Sequence, residues 1–231
     1  MAIRAILISL LAFGLAACAS RQNRADELSD EYVQTLAKAG YDVHEYVPVH
    51  SAPKVGQYWQ YRVVYRGVPG IGRFQVTKVW DDSVLVESLV EVPLEPDLRF
   101  AHVSAWRLDL NAMPGEPNIL QAWVGVEGGK PIELQPVDHG TPDQPPPEVE
   151  GSIESFDGLA LCGRTWSGVV VAARANMLTG ELNSPDGSQA RTWIADGGWF
   201  GGTLRIMQGE EVVGELSALG EDALPLMDWE D

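Results

Sequence analysis

From residue 56 onward the chain alternates apolar and polar side chains with a period of two, the pattern of half-buried strands. Within 58–66, Trp59, Tyr61, Val63 and Tyr65 share one face, while Gln60, Arg62 and Arg66 lie on the other beside Val64. Residues 73–80 set Phe74, Val76 and Trp80 against Gln75 and Thr77, and 83–92 bring Val84, Val86 and Val90 together. The clusters GVPGIG (67–72) and Asp81-Asp82 separate these runs as turns, so the three predict an antiparallel meander. Further strands are predicted over 100–110, 119–127, 130–135, 164–174, 190–195, 203–208 and 211–219, with Gly128-Gly129 and Gly209-Glu210 as hairpin turns. Residues 136–147 contain five prolines and predict a loop, because proline cannot donate to a central ladder.

One stretch has helical spacing instead. Over 29–40, Ser29 is placed to cap a helix, Asp30 and Glu31 fall in its first turn, and Gly40 is placed to end it. Leu28, Tyr32 and Leu36 form a stripe for packing on a sheet. The polar residues before it predict a flexible tether over 18–28, and the acidic end predicts a partly ordered tail over 223–231. Between them, 29–222 predicts one domain, since either half alone has too few strands to bury both faces. The expected fold is mainly β: a single curved antiparallel sheet, half-barrel-like, with an N-terminal helix.

The first residues read MAIRAILISLLAFGLAAC, with Arg4 followed by a short apolar run and small residues. The run is too short to cross a membrane and has the form of a secretory signal over 1–17. Its end, Leu15-Ala16-Ala17-Cys18, resembles the lipobox of bacterial lipoproteins. The resemblance implies cleavage before Cys18 and acylation of that residue. One acyl chain binds a bilayer marginally and two anchor it stably, so a triacylated cysteine is a permanent anchor. Ala19 stands where an Asp would mark inner-membrane retention, so the resemblance implies the outer membrane, facing the periplasm.

Charge narrows the partners. The chain carries −17, and losing residues 1–17, with one Arg and no acid, would make it one unit more negative. Such a domain is unsuited to nucleic acid, whose phosphates require Lys and Arg. It is repelled by anionic lipid as well, which leaves Cys18 as the expected membrane contact. With Cys18 modified, Cys162 has no disulfide partner and is expected either as a small buried hydrophobe or as a reactive thiol.

Two stretches of the domain look familiar. Val55–Tyr61 (VGQYWQY) resembles the opening strand of many bacterial envelope proteins, and Thr192–Arg205 (TWIADGGWFGGTLR) is similar to a late Trp-strand and Gly-rich turn in such proteins, with Trp199 where Pro is usual. The resemblance points to the LolA/LolB-type half-barrels, open sheets curved around a helix or an apolar ligand. It implies a fold and no binding residue.

Chemistry is sparse. The sequence has no nucleophile elbow, no metal-ligand spacing and no phosphate loop; Pro131 would block the helix after Gly125–Lys130. No catalytic residue, cofactor or metal is therefore expected. The polar loop Asp138-His139 is the one place a hydrolase site would sit. Six tryptophans (59, 80, 106, 123, 166 and 193) fall in strand candidates, either as core or as the lining of an apolar concavity. Trp199-Phe200, within glycines, is expected as an exposed contact for an apolar ligand or partner, or as a plug folded into the end of the sheet. The expected function is a non-enzymatic, outer-membrane-anchored binding module for an apolar ligand or envelope protein. The alternatives are an assembly accessory of an envelope complex and a hydrolase.

Overall fold

A computed structural model describes residues 21–65, 67–95, 98–140, 151–176, 181–182 and 189–229. The expected signal, Cys18 and residues 141–147 of the Pro-rich loop lie outside the described residues.

Helix α1 (Arg21–Ala39) is followed by β1 (Tyr41–Asp42), β2 (Tyr58–Tyr65), β3 (Val68–Val79), β4 (Ser83–Glu95) and β5 (Leu98–Asp109). Next come β6 (Ile119–Gly125), β7 (Ile132–Glu133), β8 (Pro136–Val137), β9 (Gly151–Leu161) and β10 (Arg164–Asn176). The chain continues through β11 (Glu181–Leu182), β12 (Gln189–Ala195), β13 (Thr203–Gln208) and β14 (Glu211–Gly220). One open antiparallel sheet runs β11-β10-β12-β13-β14-β2-β3-β4-β5-β6-β7, and β9 pairs with β10. The second half of the meander thus docks on the first through β14 and β2.

The sheet curves strongly. β2 and β10 lie four places apart, about 19 Å on a flat sheet, yet the rings of Trp59 and Trp166 meet with centroids 5.6 Å apart. Their shared, concave face holds the main core, in which Trp59, Val76, Val84, Val86, Leu204 and Leu216 are buried. At the β5–β6 end, α1 covers the same face, with Val33 against Ala122, Val124 and Leu134. Gly40 ends α1 at φ +74°, as its position predicts.

The structure corrects several boundaries. The helix begins at Arg21, eight residues before the expected Ser29 cap, inside the stretch read as a tether. Residues 21–28 (RQNRADEL) are mostly good helix formers without an apolar stripe, so periodicity does not reveal them. Ser29 lies within the helix and its Oγ accepts the Ala101 amide. GVPGIG is strand rather than turn from Val68 onward: 68–72 pair with β2, and Ile71 and Gly72 pair with β4 as well. Pro136-Val137 opens the Pro-rich loop with a short parallel pairing to β1, a position where Pro is tolerated. The polar strand β9 gave no periodic signal. Its hairpin to β10 turns through Cys162 and Gly163, both at positive φ, as the two-residue type I′ turn requires.

The largest change concerns the outer, convex face. The tail expected over 223–231 is docked there through 229, with Leu226 and Met227 buried against Leu85, Leu89, Val103 and Ala105. Consequently β4 is covered on both faces. No helix among the described residues is long and apolar enough to cross a membrane.

Candidate functional site

Alternation along β3 puts Phe74 and Val76 on the concave face and would put Trp80 there too. A register shift between Val76 and Lys78 intervenes: Val76 pairs with Val86, Lys78 with Leu85. The extra residue, Thr77, reverses the side of everything after it. Val79 therefore points inward, while Lys78 and Trp80 join Leu85 on the outer face. On β5 and β6, Arg107 and Trp123 project to that face.

The C-terminal segment supplies the opposite wall, and Glu87 holds it. This side chain is 0% exposed and accepts five hydrogen bonds. Two come from the sheet, Gln75 Nε2 at 2.9 Å and Thr77 Oγ1 at 2.6 Å. Three come from the segment: the Leu226 amide (2.7 Å), the Met227 amide (3.0 Å) and the Trp229 indole Nε1 (2.8 Å). Four of the five partners are N–H groups that can only donate, and only an acceptor with two oxygens could satisfy all five. Gln75 Nε2 also donates to the Leu224 carbonyl at 2.6 Å. Backbone bonds from Gly128 to Leu226 and from Asp228 to Gly129 complete the attachment.

Between the strands and the segment lies a cleft of about 390 Å³. Trp80, Trp123 and Trp229 give it three indole walls, and Trp123 meets Trp229 edge to face at 5.3 Å and 87°. Arg107 lies with its guanidinium 4.8 Å from the Trp80 ring centre, and the Lys78 ammonium is 5.4 Å from the same ring. Ser83 Oγ accepts from Arg107 Nε at 3.1 Å and fixes its plane. Gln121 adds an amide to the lining.

The other expected sites fall elsewhere. Phe200 is 6% exposed and Trp199 packs on the same core, so the pair is folded inward as a plug rather than displayed as a tip. Phe200 stacks on Phe74 (5.9 Å), and Trp199 on His50 (5.5 Å). Phe200 reaches this position at φ +48°, a conformation disfavoured for L-residues by about 1–2 kcal/mol, which burial of the ring offsets. The two stretches that resemble envelope proteins meet here: Trp59 faces Trp199, and the Tyr61 hydroxyl donates to the Thr203 carbonyl at 2.9 Å. Of the strand tryptophans, 59, 106, 166 and 193 pack in the concave core, whereas 80 and 123 line the outer cleft.

Asp138 pairs with His44 Nε2 at 2.9 Å, brought close by the β1–β8 pairing, but Asp138 is 71% exposed. The Gly140 amide and His44 hold its carboxyl below the usual range. His139 is exposed beside it. Among the described residues no cluster of His, Cys, Asp or Glu is placed to hold a metal ion. Burial and the neighbouring Glu215 push the Cys162 thiol up, away from thiolate reactivity, and its Sγ donates to the Leu216 carbonyl at 3.4 Å.

Of the cleft, sequence reading identified Trp80 and Trp123 as strand tryptophans and missed Lys78, Glu87, Arg107 and Trp229. A Trp and two buried apolar residues within an acidic tail were the available signal. No family model, curated protein or solved structure matches the chain.

Proposed function

We propose that this chain is a non-enzymatic binding module of the bacterial envelope, anchored by lipid at Cys18, whose ligand seat is the tryptophan cleft on the outer face. The observation that carries the reading is the cleft itself: three indoles, from the residue after β3, from β6 and from the C-terminal segment, around about 390 Å³, a volume in the small-ligand range. A core needs no such opening, and aromatic walls suit an apolar ligand body. Native mass spectrometry of the protein purified from membranes tests this. The expected spectrum contains a co-purified small molecule that Trp123→Ala loses; an unliganded spectrum together with no binding of aromatic probes would overturn it.

The anchor rests on Leu15-Ala16-Ala17-Cys18, and the outer-membrane address on Ala19. Labelled palmitate incorporated by the natural chain and lost in Cys18→Ser is the expected result. Unchanged membrane retention of Cys18→Ser would remove the anchor.

A second reading, an assembly accessory, is favoured by β9. This 11-residue strand pairs only with β10 among the described residues and leaves Ile153 72% exposed. Such an edge is a template for a strand of another envelope protein. Crosslinking from position 153 to one protein in fixed ratio would support this reading, and its absence in whole cells would remove it.

A further inference from the structure

Resting on the reading of the cleft as a ligand seat, we propose that its ligand is a small organic anion: a carboxylate or phosphate-type group on a flat apolar body.

Lys78 and Arg107 both line the cleft, and no carboxylate among the described residues lies in an ion pair with either. Their recorded partners are the Trp80 ring and, for Arg107, a hydroxyl. In a chain with 33 acidic and 16 basic residues, two cations side by side without an acid are against the composition. Four acids near the cleft have partners of their own. Glu87 is filled by its five donors. Asp82 accepts from Ser83 and Asp109 from Asn111, while Glu133 accepts from Gln121 at 3.4 Å. Among the described residues, no carboxylate balances the two cations, and a ligand anion would.

Arg107 is also pre-set for the task. Ser83 takes Nε and the Trp80 ring takes one face of the plane, which leaves the two terminal amino groups as a fork for paired oxygens. The Lys78 ammonium on the same ring adds a second positive charge from an exposed, adjustable stem. The remaining walls are indole faces and Leu85, which demand an apolar body. Head and body are thereby specified by different residues.

The test uses two probes of one shape, 2-naphthoate and its neutral counterpart 2-naphthamide, titrated into the full chain and followed by ligand-observed NMR. The natural protein is expected to bind the carboxylate about tenfold more tightly than the amide, the size of one charge-assisted hydrogen bond. Lys78→Gln and Arg107→Gln are each expected to lower the carboxylate's affinity more than the amide's, removing most of that preference. Trp123→Ala should weaken both probes. Lys78 is exposed, so its variant keeps the test valid if Arg107→Gln fails to fold. Equal affinities that ignore both charge substitutions but fall in Trp123→Ala would overturn the anion and leave the apolar seat standing. No binding of either probe would remove the seat itself.

Discussion

Glu87 shows how one side chain can decide the disposition of a whole segment. Its five partners occupy both oxygens, and a Glu87→Gln change places an amide NH2 against N–H groups that cannot accept. At least one buried donor then loses its partner, at about 1–3 kcal/mol for each. The expected result is release of the C-terminal segment before global unfolding, seen as red-shifted tryptophan emission and proteolysis after residue 222. A variant as resistant as the natural chain would show that apolar contact through Leu226 and Met227 holds the segment alone. His102 poses a different residue-scale question. It is buried between the rings of Tyr32 (4.9 Å) and Phe100 (5.7 Å), and burial lowers its pKa to about 4. Unfolded, the same imidazole titrates near 6.5, so between these values the unfolded chain binds a proton that the folded chain refuses. Stability therefore falls as pH drops from about 6.5 toward about 4, by about 2–3 kcal/mol at pH near 4.5. His102→Leu is expected to reduce the difference in urea midpoint between neutral and acid pH. An unchanged difference would assign the acid sensitivity to other groups.

Periodicity locates an element far better than it locates an insertion within one. The faces of β2 and β4 were legible because Trp59, Tyr61, Val84 and Val86 alternate without interruption. The bulge at Thr77 was not, since one extra residue leaves composition untouched yet sends Trp80 to the opposite face. Glu87 and its neighbours Leu85 and Leu89 likewise carry no mark of the segment, distant in sequence, that covers them. The Gly-rich turn after β12 illustrates the reverse case, in which a sequence oddity had a packing cause. A Cβ at Gly198 would sit 2.5 Å from Gly202 Cα and 2.9 Å from the Trp59 ring. Gly198→Ala is expected to cost about 1–3 kcal/mol by forcing that ring or the turn to move. Gly209→Ala meets open space at φ +60° and serves as the comparison, with about 1 kcal/mol from backbone strain alone. Equal urea midpoints for the two variants would mean that the turn does not press on Trp59.

At the scale of the whole molecule, the charge of −17 and the cleft oppose each other. An approaching anion first meets a repulsive field that extends about 10 Å at 0.1 M salt. Seated in the proposed site, it would meet Lys78 and Arg107 at contact distance beside three indoles. Salt screens the long-range repulsion fully and the short, partly buried attraction only in part. The two effects predict an unusual sign. Raising ionic strength from about 20 to about 200 mM should leave the affinity for 2-naphthoate unchanged or raise it up to about threefold, mostly through faster association. A site formed by surface lysines alone would lose affinity over the same range. Titration at the two salt concentrations checks this, with 2-naphthamide as the neutral reference. A fall of threefold or more for the carboxylate alone would place the probe outside the cleft, on solvent-exposed charge.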